Sequence, residues 1–246
     1  MRINKNLSTQ GYCSRREADR LIEQEKVFIN NELAGMGDQV HPGDDVRVEG
    51  RDRKYQPKKV YLLVHKPIGI TTNQDIRRHN NIINFIDYPE RLYPVGHLDA
   101  QSTGLVLLTN DQVLSDRLQH PRYQLDDEFV VEVDRPISRL DISAMQNGIE
   151  LDEGKTLPAK VRLMDPTRFA IILPNNLDHQ IQRMCDAMEY RIHNLIRTRM
   201  GALKMASTYP EGNWRHLTDR EVKDLKKSVD MTIKVNKIAK PKKKKR

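Results

Sequence analysis

Apolar and polar positions in the first fifty residues follow first a helical period and then a pattern of short strands. Ser14 precedes an apolar-periodic stretch, and Glu17 follows three positions later, which is the spacing of a capping box. Ala18, Leu21 and Ile22 share one face of the helix that this pattern predicts. We therefore expect a helix that begins at Ser14 and packs that face inward.

The rest of this segment has the pattern of strands joined by turns. Residues 26–32 predict a strand, a turn and the start of a returning strand, and Pro42-Gly43-Asp44-Asp45 predicts a turn before a strand at 46–48. Together with the helix, these elements predict a small helix-plus-hairpin unit over residues 1–50. The charged stretch 51–59 contains a proline and has the composition of a linker.

From Val60 onward, β-rich apolar runs are separated by helical stretches. Strands are predicted at 60–64, 105–108, 129–133, 161–164 and 169–173, and helices at 81–86, 112–119, 138–145, 178–188 and 219–227. The strands do not alternate regularly with long helices, which disfavours a doubly wound parallel sheet and favours a mixed α+β domain over 60–228. Helical signals fade beyond Val229, so 229–246 is interpreted as a basic, disordered tail.

The charge of the 246-residue chain is unevenly distributed. The formal net charge is +8, yet residues 60–235 have a net charge of −1, whereas residues 236–246 hold seven Lys or Arg and no acidic residue. A polybasic terminus attracts phosphate without reading sequence. It is equally consistent with a tail that only keeps the chain soluble, and the body of the chain is not a general polyanion binder.

Composition excludes several classes of protein. No apolar run approaches the roughly 18 residues of a membrane helix, and the polar amino-terminal residues lack the apolar centre of a secretory signal. We therefore expect a soluble, cytoplasmic protein. Cys13 and Cys185 are far apart and have no metal-ligand spacing around them, so we expect reduced thiols rather than a disulfide framework or a zinc site.

The amino-terminal segment resembles the alpha-L RNA-binding motif, which occurs in a ribosomal protein and in many RNA-modifying enzymes. The resemblance rests on residues 2–5, 11–18, 27–30 and 42–46. It departs at Glu25 and Asn31, where such modules often have Gly, although Asn also tolerates a left-handed backbone. A solvated helix face would by itself explain the basic residues. The combined pattern instead implies RNA contacts from Arg2, Lys5, Arg15, Arg16 and Arg20.

Four further segments occur in the order and at the spacing of one enzyme family. They are Val64-His65-Lys66-Pro67-Ile68-Gly69, the stretch 96–111 that contains Gly96-His97-Leu98-Asp99, the strand 128–133, and His179-Gln180-Ile181-Gln182-Arg183-Met184-Cys185. With residues 214–218, they resemble the RsuA/RluF branch of ribosomal RNA pseudouridine synthases, and the resemblance covers about residues 2–226.

This resemblance implies a fold and a chemistry. The larger domain is expected to have a mainly antiparallel sheet of pseudouridine-synthase type. Enzymes of this family break the bond between uracil and ribose, rotate the base and rejoin it through carbon five, and they use one Asp with no metal and no organic cofactor. The chain is accordingly expected to need no cofactor.

Asp99 is the candidate nucleophile. An ionised carboxylate can attack if it is held close and correctly oriented, and a loop bounded by Gly96 and Gly104 just before a rigid strand is a suitable mount. Taken alone, an Asp in a Gly-rich turn usually accepts hydrogen bonds from loop amides and does nothing more. The surrounding motifs favour the catalytic role.

Five other residues are candidates for substrate contact. Phe129 stands where the branch has Tyr, so the ring that can hold a flipped base is kept and the hydroxyl is lost, although a Phe in an apolar strand is usually core. His97 stands where the branch has an Arg thought to fill the space that the flipped base leaves. Gln182 stands where the family has an Arg or Lys that pairs with the catalytic carboxylate. His179 and Arg183 lie near Gln182 on a helix, so either could supply the missing charge.

Two functions remain open at this point. The ordered motifs and the retained Asp99 favour a monomeric pseudouridine synthase that acts on a stem-loop of ribosomal RNA, with the large subunit as the favoured source and transfer RNA as a second substrate. The joint change at His97, Phe129 and Gln182 favours instead a catalytically weakened or inactive relative that binds RNA or assists ribosome assembly.

Overall fold

The computed structural model describes residues 1–238 apart from 11, 14, 51–57, 74–78, 124, 153 and 175–178. The predicted capping residue Ser14 and most of the predicted linker lie outside the described residues. The chain folds into two compact units. One consists of Met1–Val60 with Asn110–Val113, and the other of Tyr61–Thr109 with the chain from Leu114 onward.

The amino-terminal unit contains two helices and a three-stranded antiparallel sheet. The elements are α1 (Ile3–Thr9), α2 (Arg15–Glu23), β1 (Val27–Ile29), β2 (Glu32–Leu33) and β3 (Val46–Val48), and the strand order is β2-β1-β3. The predicted apolar face of α2 is buried. Helix α1 was not predicted, because its two buried apolar residues, Ile3 and Leu7, are too few to define a period.

Two turns of this unit have the left-handed backbone that the sequence comparison with such modules suggested. Glu25 has a φ of 58° and Asn31 a φ of 73°. The Glu25 amide donates to the carbonyl oxygen of Ile22 at 2.9 Å, which ends helix α2. A glutamate in this conformation costs roughly 1–2 kcal/mol relative to a right-handed backbone, since its Cβ crowds the carbonyl oxygen.

The larger unit is built on a mixed sheet with nine strands among the described residues. The main path runs in the order β10 (Lys160–Asp165), β11 (Arg168–Pro174), β7 (Asp126–Val133), β12 (Ile192–Met200), β6 (Thr103–Thr109), β4 (Tyr61–Lys66) and β14 (Trp214–His216). Strand β5 (Tyr93–Val95) pairs with β6, and β13 (Leu203–Lys204) pairs with β12. The pairing of β12 with β6 is parallel and the other described pairs are antiparallel, which confirms the predicted fold class.

The remaining described elements are short. They are the hairpin β8 (Glu150–Leu151) and β9 (Gly154–Lys155), a 3-10 helix at Pro121–Tyr123, and helices α3 (Ile82–Ile86), α4 (Gln112–Leu118), α5 (Arg139–Asn147), α6 (Gln180–Ala187) and α7 (Asp219–Ile238). Side chains cap two of the predicted helices, since Asn81 accepts from the amide of Asn84 and Ser138 from that of Asp141.

Helix α7 corrects the prediction for the carboxyl terminus. The predicted helix ends at 227 and the predicted disordered tail covers 229–246, whereas α7 continues to Ile238. No Gly or Pro occurs between 219 and 238, so no residue in this stretch breaks the helix before Pro241. Residues 239–246 lie outside the described part of the chain.

Strand β6 is the buried centre of the sheet, and all seven of its residues are buried. Its neighbour β12 was not predicted, because Arg197 occupies an inward position and interrupts the apolar alternation. These two parallel strands frame the site described below. In the described part of the chain, no helix has both the length and the apolar composition needed to cross a membrane.

Candidate active site

A cleft of about 230 Å³ opens in the larger unit, where the loop before β6 faces β7, β12 and the start of α6. Four of the five candidate substrate-contact residues line this cleft together with the candidate nucleophile. They are His97, Phe129, His179 and Gln182, with Asp99. Arg183 also belongs to α6, but it does not line the cleft.

Both carboxylate oxygens of Asp99 accept hydrogen bonds. Oδ1 accepts from the amide of Ser102 at 2.8 Å and from its hydroxyl at 2.9 Å, and Oδ2 accepts from Nε2 of Gln182 at 2.7 Å. The bond from the Ser102 amide is the loop contact expected of any Asp in such a turn. The bond from Gln182 comes from a helix more than eighty residues away, so the carboxylate is also oriented from outside its own loop.

The residues on either side of Asp99 are held by the segment that follows β4. The hydroxyl of Thr72 donates to the carbonyl oxygen of Leu98 at 3.1 Å and accepts from the Leu98 amide at 3.0 Å. The amide of Gly69 donates to the carbonyl oxygen of Ala100 at 2.7 Å. Asp99 therefore lies between two anchored neighbours, which limits the positions its carboxylate can take.

His97 is exposed, and its ring is fixed by one of these same groups. Its Nδ1 lies 3.1 Å from the hydroxyl oxygen of Thr72. That hydroxyl has a single proton, which it donates to the carbonyl oxygen of Leu98. All three contacts of Thr72 are made together only if Nδ1 of His97 carries a proton and donates it. The neutral ring would then have an acceptor at Nε2.

Helix α6 brings two of the candidate residues to Asp99. Gln182 donates the hydrogen bond described above, and Nδ1 of His179 lies 3.7 Å from Oδ2 of Asp99. His179 precedes the helix with a left-handed backbone, φ 53°, and its side chain is 57% exposed. The expected proximity of His179 and Gln182 is thus observed. The suggestion that Arg183 replaces the missing cation finds no support in the lining of the cleft.

Phe129 lines the cleft and belongs to the core as well, because its ring is only 1% exposed. Along β7 every second residue from Phe129 to Val133 is buried, so the ring points to the inner face of the sheet. Its partners in register are Ile171 on β11 and Arg197 on β12. Phe129 therefore packs in the core, as a Phe in a strand usually does, and it also lines the cleft that contains Asp99.

Two buried cations lie in the same row across the sheet. Lys66 of β4 and Arg197 of β12 are both register partners of Gly104 on β6, and their side chains are 0% and 2% exposed. A Cβ on Gly104 would lie 2.4 Å from the carbonyl oxygen of Arg197, so only glycine permits this approach of β12 to β6. The next residue in this row is Phe129 on β7, opposite Arg197.

The charge of Lys66 acts on Asp99. Burial lowers the pKa of Lys66 from 10.5 to about 8, the Asp99 carboxylate opposes that shift, and the Arg197 guanidinium adds to it. Nζ of Lys66 donates to the carbonyl oxygens of Pro67 and Ile70 at 3.0 and 2.7 Å. Lys66 therefore contributes a positive potential at the carboxylate and also holds the segment that anchors Ala100.

Sequence reasoning assigned no role to several of these residues. Lys66 and Ser102 lie inside the motifs that carried the family resemblance, but their spacing does not show that they meet Asp99. Thr72 lies just beyond one of those motifs. Arg197 lies in the strand that was not predicted. The signal available in the sequence was an Arg two residues after Leu195, the spacing that puts two residues on the same face of a strand.

The amino-terminal unit presents its basic candidates to solvent. The side chains of Arg2, Lys5, Arg15, Arg16 and Arg20 are all exposed. Arg20 and Glu17 form a long ion pair of 3.9 Å, which at this exposure contributes little to stability. These side chains are therefore accessible to a polyanionic partner.

Both cysteines are buried, and burial raises the pKa of the Cys185 thiol to about 12. Within the described ranges, no group of three or more His, Cys, Asp or Glu side chains is arranged to hold a metal ion.

Comparison with known proteins finds a matching family model for each of the two units. The family model described as RNA pseudouridylate synthase matches residues 60–187, and the S4 domain model matches residues 1–46. The chain is 38% identical over 98% of its length to the dual-specificity RNA pseudouridine synthase RluF of Escherichia coli K12, of which the match covers 85%. It is 32% identical over 93% of its length to the ribosomal large subunit pseudouridine synthase B of Bacillus subtilis, of which the match covers 97%.

A solved structure supports the same assignment. The fold matches a crystal structure of a pseudouridylate synthase with a TM-score of 0.68 and 28% identity, over 92% of this chain and 99% of that one. The family model alone covers half of the chain. The chain therefore belongs to the RNA pseudouridylate synthase family and carries an amino-terminal S4 domain.

Proposed function

We propose that the chain isomerises a specific uridine in a stem-loop of ribosomal RNA, with Asp99 as the nucleophile. The observation that carries the proposal is the placement of the Asp99 carboxylate in the cleft, oriented by Ser102 on one oxygen and by Gln182 on the other. Family membership supplies the reaction class, and the cleft supplies one carboxylate that is held rigidly enough to act in it.

The reaction is an isomerisation, so its atoms balance within the nucleotide. The bond between ribose C1′ and uracil N1 breaks as Asp99 acts on the ribose–uracil unit. The base rotates, a bond forms between C1′ and C5, the proton on C5 is lost and N1 gains one. Nothing in this sequence requires an oxidant, a reductant or a second substrate.

The other residues of the cleft are assigned by their contacts. Phe129 provides the ring against which the flipped base packs, since base stacking depends on the ring and not on a hydroxyl. Gln182 and His179 position the carboxylate and face the base. His97, exposed and fixed by Thr72, faces the RNA that the base leaves. Arg183 does not line the cleft, so we assign it no contact with the base.

The proposed RNA contacts extend beyond the cleft to the amino-terminal unit. We propose that the basic side chains of the S4 domain contact phosphates, with Arg15 and Arg16 of α2 as the principal pair. Relatives in Escherichia coli and Bacillus subtilis carry names that refer to RNA or to the large ribosomal subunit. We favour the large-subunit RNA as substrate and transfer RNA as a second one, and we propose that the chain acts as a monomer in the cytoplasm.

The test is to incubate the purified protein with unmodified ribosomal RNA and to map pseudouridine. We expect one or a few uridines to be converted by the natural chain and none by Asp99→Asn, with the RNA affinity of the two proteins equal within about threefold. Asp99→Asn keeps the size of the side chain, and Asp134→Asn, on an exposed residue, controls for the loss of a negative charge.

The competing function, an inactive RNA-binding or assembly protein, makes the opposite prediction. The natural chain would then form no pseudouridine under conditions in which a relative is active. Asp99→Asn would also leave both the cellular role and the pattern of RNA modification unchanged, while loss of Arg15 and Arg16 would abolish the function. Either result would refute the enzyme assignment for this chain.

A further inference from the structure

Arg197 makes its contacts on both sides of Asp99 in the chain. Its Nε donates to the carbonyl oxygen of Leu105 at 2.7 Å, and its Nη1 donates to the carbonyl oxygen of His97 at 3.2 Å. Nη1 is also 3.3 Å from Oδ2 of Asp127 on β7. One buried guanidinium thus connects the residue two before Asp99 with the residue six after it.

The geometry of a guanidinium suits this connection. Nε and Nη1 donate in fixed directions from one rigid plane, so the two carbonyl oxygens are held at a set separation. A lysine has a single nitrogen on a flexible stem and cannot hold both oxygens in this way. The close approach of β12 to Gly104, immediately before Leu105, presses the backbone of Arg197 against the same end of the loop.

Burial strengthens these contacts and restricts the movement of the Arg197 side chain. The Arg197 side chain is 2% exposed and that of Asp127 is 16% exposed, so the carboxylate compensates the charge of the guanidinium away from water. Burial raises the pKa of Asp127, and the Arg197 charge opposes that shift. The cleft is lined by both residues, so this pair lies at the site and not in a remote part of the core.

We infer that Arg197 is a positioning residue, which holds both ends of the Asp99 loop and thereby fixes where the carboxylate points. The inference rests on the proposed function, because it concerns the same nucleophile. A displacement of a reacting group by about 1 Å can cost about 100-fold in rate. Loss of this connection should therefore lower turnover while leaving RNA binding nearly intact.

The neighbouring Arg199 provides a matched control. It lies on the same strand, pairs with Glu128 of β7 at 3.0 Å, and donates to the carbonyl oxygens of Asp126 and Gly201 at 3.2 and 3.0 Å. It has the same kinds of partner as Arg197, but it does not line the cleft and none of these contacts is on the Asp99 loop.

The experiment compares Arg197→Lys with Arg199→Lys on a stem-loop RNA that contains the target uridine. For Arg197→Lys we expect a single-turnover rate about 100-fold lower, with a Kd for RNA within threefold of the natural value. For Arg199→Lys we expect both quantities within threefold. Equal rates for the two variants, or a loss in Arg197→Lys that lies entirely in Kd, would overturn the proposal.

Hydrogen exchange at the Ser102 amide gives a readout that does not depend on activity. That amide donates to Oδ1 of Asp99, so its protection reports the geometry of the carboxylate directly. We expect at least tenfold faster exchange in Arg197→Lys and no change in Arg199→Lys. If the natural chain forms no pseudouridine, the proposed function fails and this exchange result still decides the role of Arg197.

A double variant guards against a folding defect. Removing both charges of a buried pair leaves no uncompensated charge in the core, so Arg197→Met/Asp127→Asn provides a second variant that should fold. It should show the same slow turnover and fast exchange. Near-natural turnover in the double variant, or unfolding of both variants, would mean that Arg197 serves the fold alone and would refute the positioning role.

Discussion

The side-chain nitrogen Nε2 of Gln182 lies 2.7 Å from Oδ2 of Asp99, so the side chain that α6 places against the carboxylate is a neutral donor. Hydrogen bonds from a charged donor are roughly twice as strong as those from a neutral one. His179 is 3.7 Å away and is charged only when protonated. The orientation of Asp99 therefore depends on neutral donors, while the buried Lys66 supplies positive potential from β4.

A cation at position 182 should raise the rate. Gln182→Arg replaces a neutral donor with a charged one, and a gain of about 1 kcal/mol in the orientation of Asp99 corresponds to roughly a fivefold higher kcat. Gln119→Arg is the control, because Gln119 lines the same cleft without a hydrogen bond to Asp99. An unchanged kcat in Gln182→Arg would mean that His179 and Lys66 already provide sufficient charge.

The ring of Phe129 should matter for the reaction and not only for packing. Phe129→Leu loses base stacking, worth about 1–3 kcal/mol, so kcat/KM should fall between about 5-fold and 150-fold. Phe169→Leu removes an equally buried ring from the adjacent strand β11, outside the cleft. Both variants should lose similar stability in a urea titration. A comparable fall in kcat/KM for both would show that Phe129 acts through the fold.

The buried Lys66 should make stability depend on alkaline pH. Its pKa is about 8 in the folded chain and 10.5 in the unfolded chain, so between these values the unfolded state binds more protons and stability rises with pH. Relative to Lys66→Met, the natural chain should gain up to about 3 kcal/mol between pH 7.5 and 10.5. Calorimetry at several pH values measures this difference.

The exposed Lys160 tests whether that gain comes from burial. Lys160→Met also removes one lysine, and its stability should follow that of the natural chain at each pH. A pH-independent difference between the natural chain and Lys66→Met would contradict the proposed burial cost.

The left-handed turn at Glu25 should accept glycine. Glu25→Gly removes the crowding of Cβ at φ 58°, and we expect a gain of about 0.5–1 kcal/mol in the free energy of unfolding of the amino-terminal unit. Glu23→Gly, two residues earlier at the end of α2, should lose about the same amount, since glycine weakens a helix. Chemical denaturation followed by amide exchange in this unit measures both, and a loss of stability in Glu25→Gly would contradict the account.

Two arginines of α2 should contribute to RNA affinity through phosphate contacts. Arg15→Gln/Arg16→Gln should weaken binding of every RNA, and the negative slope of log K against log salt should become shallower by about 1.4–1.8 if both contacts are lost. Arg139→Gln/Arg162→Gln removes two exposed charges from the larger unit and should leave the slope nearly unchanged. Equal slopes for the two double variants would assign the salt dependence to net charge alone.

The local pattern of apolar and polar residues was enough to predict much of the fold. The helices α3 and α5 and the apolar strands β4 and β6 were predicted because helical stretches and strand-length apolar runs are properties of short segments. The ordered motifs also indicated the family, and through that resemblance they predicted that Asp99, Gln182 and His179 lie in one site. For the ends of the elements, pairing partners outside the segment decide where a strand stops, so β4 and β6 were predicted shorter than they are.

The sequence by itself determined the mixed α+β class, the resemblance of the amino-terminal unit to an RNA-binding module and the candidate nucleophile, because each depends on the identity and order of short segments along the chain. Only the tertiary structure decided that Gln182 donates a hydrogen bond to Asp99, and that Lys66 and Arg197 are both register partners of Gly104. The hydrogen bond from Gln182 joins α6 to the loop before β6, and the pairing at Gly104 depends on the register of β4, β6 and β12. Both depend on segments that lie far apart in the chain.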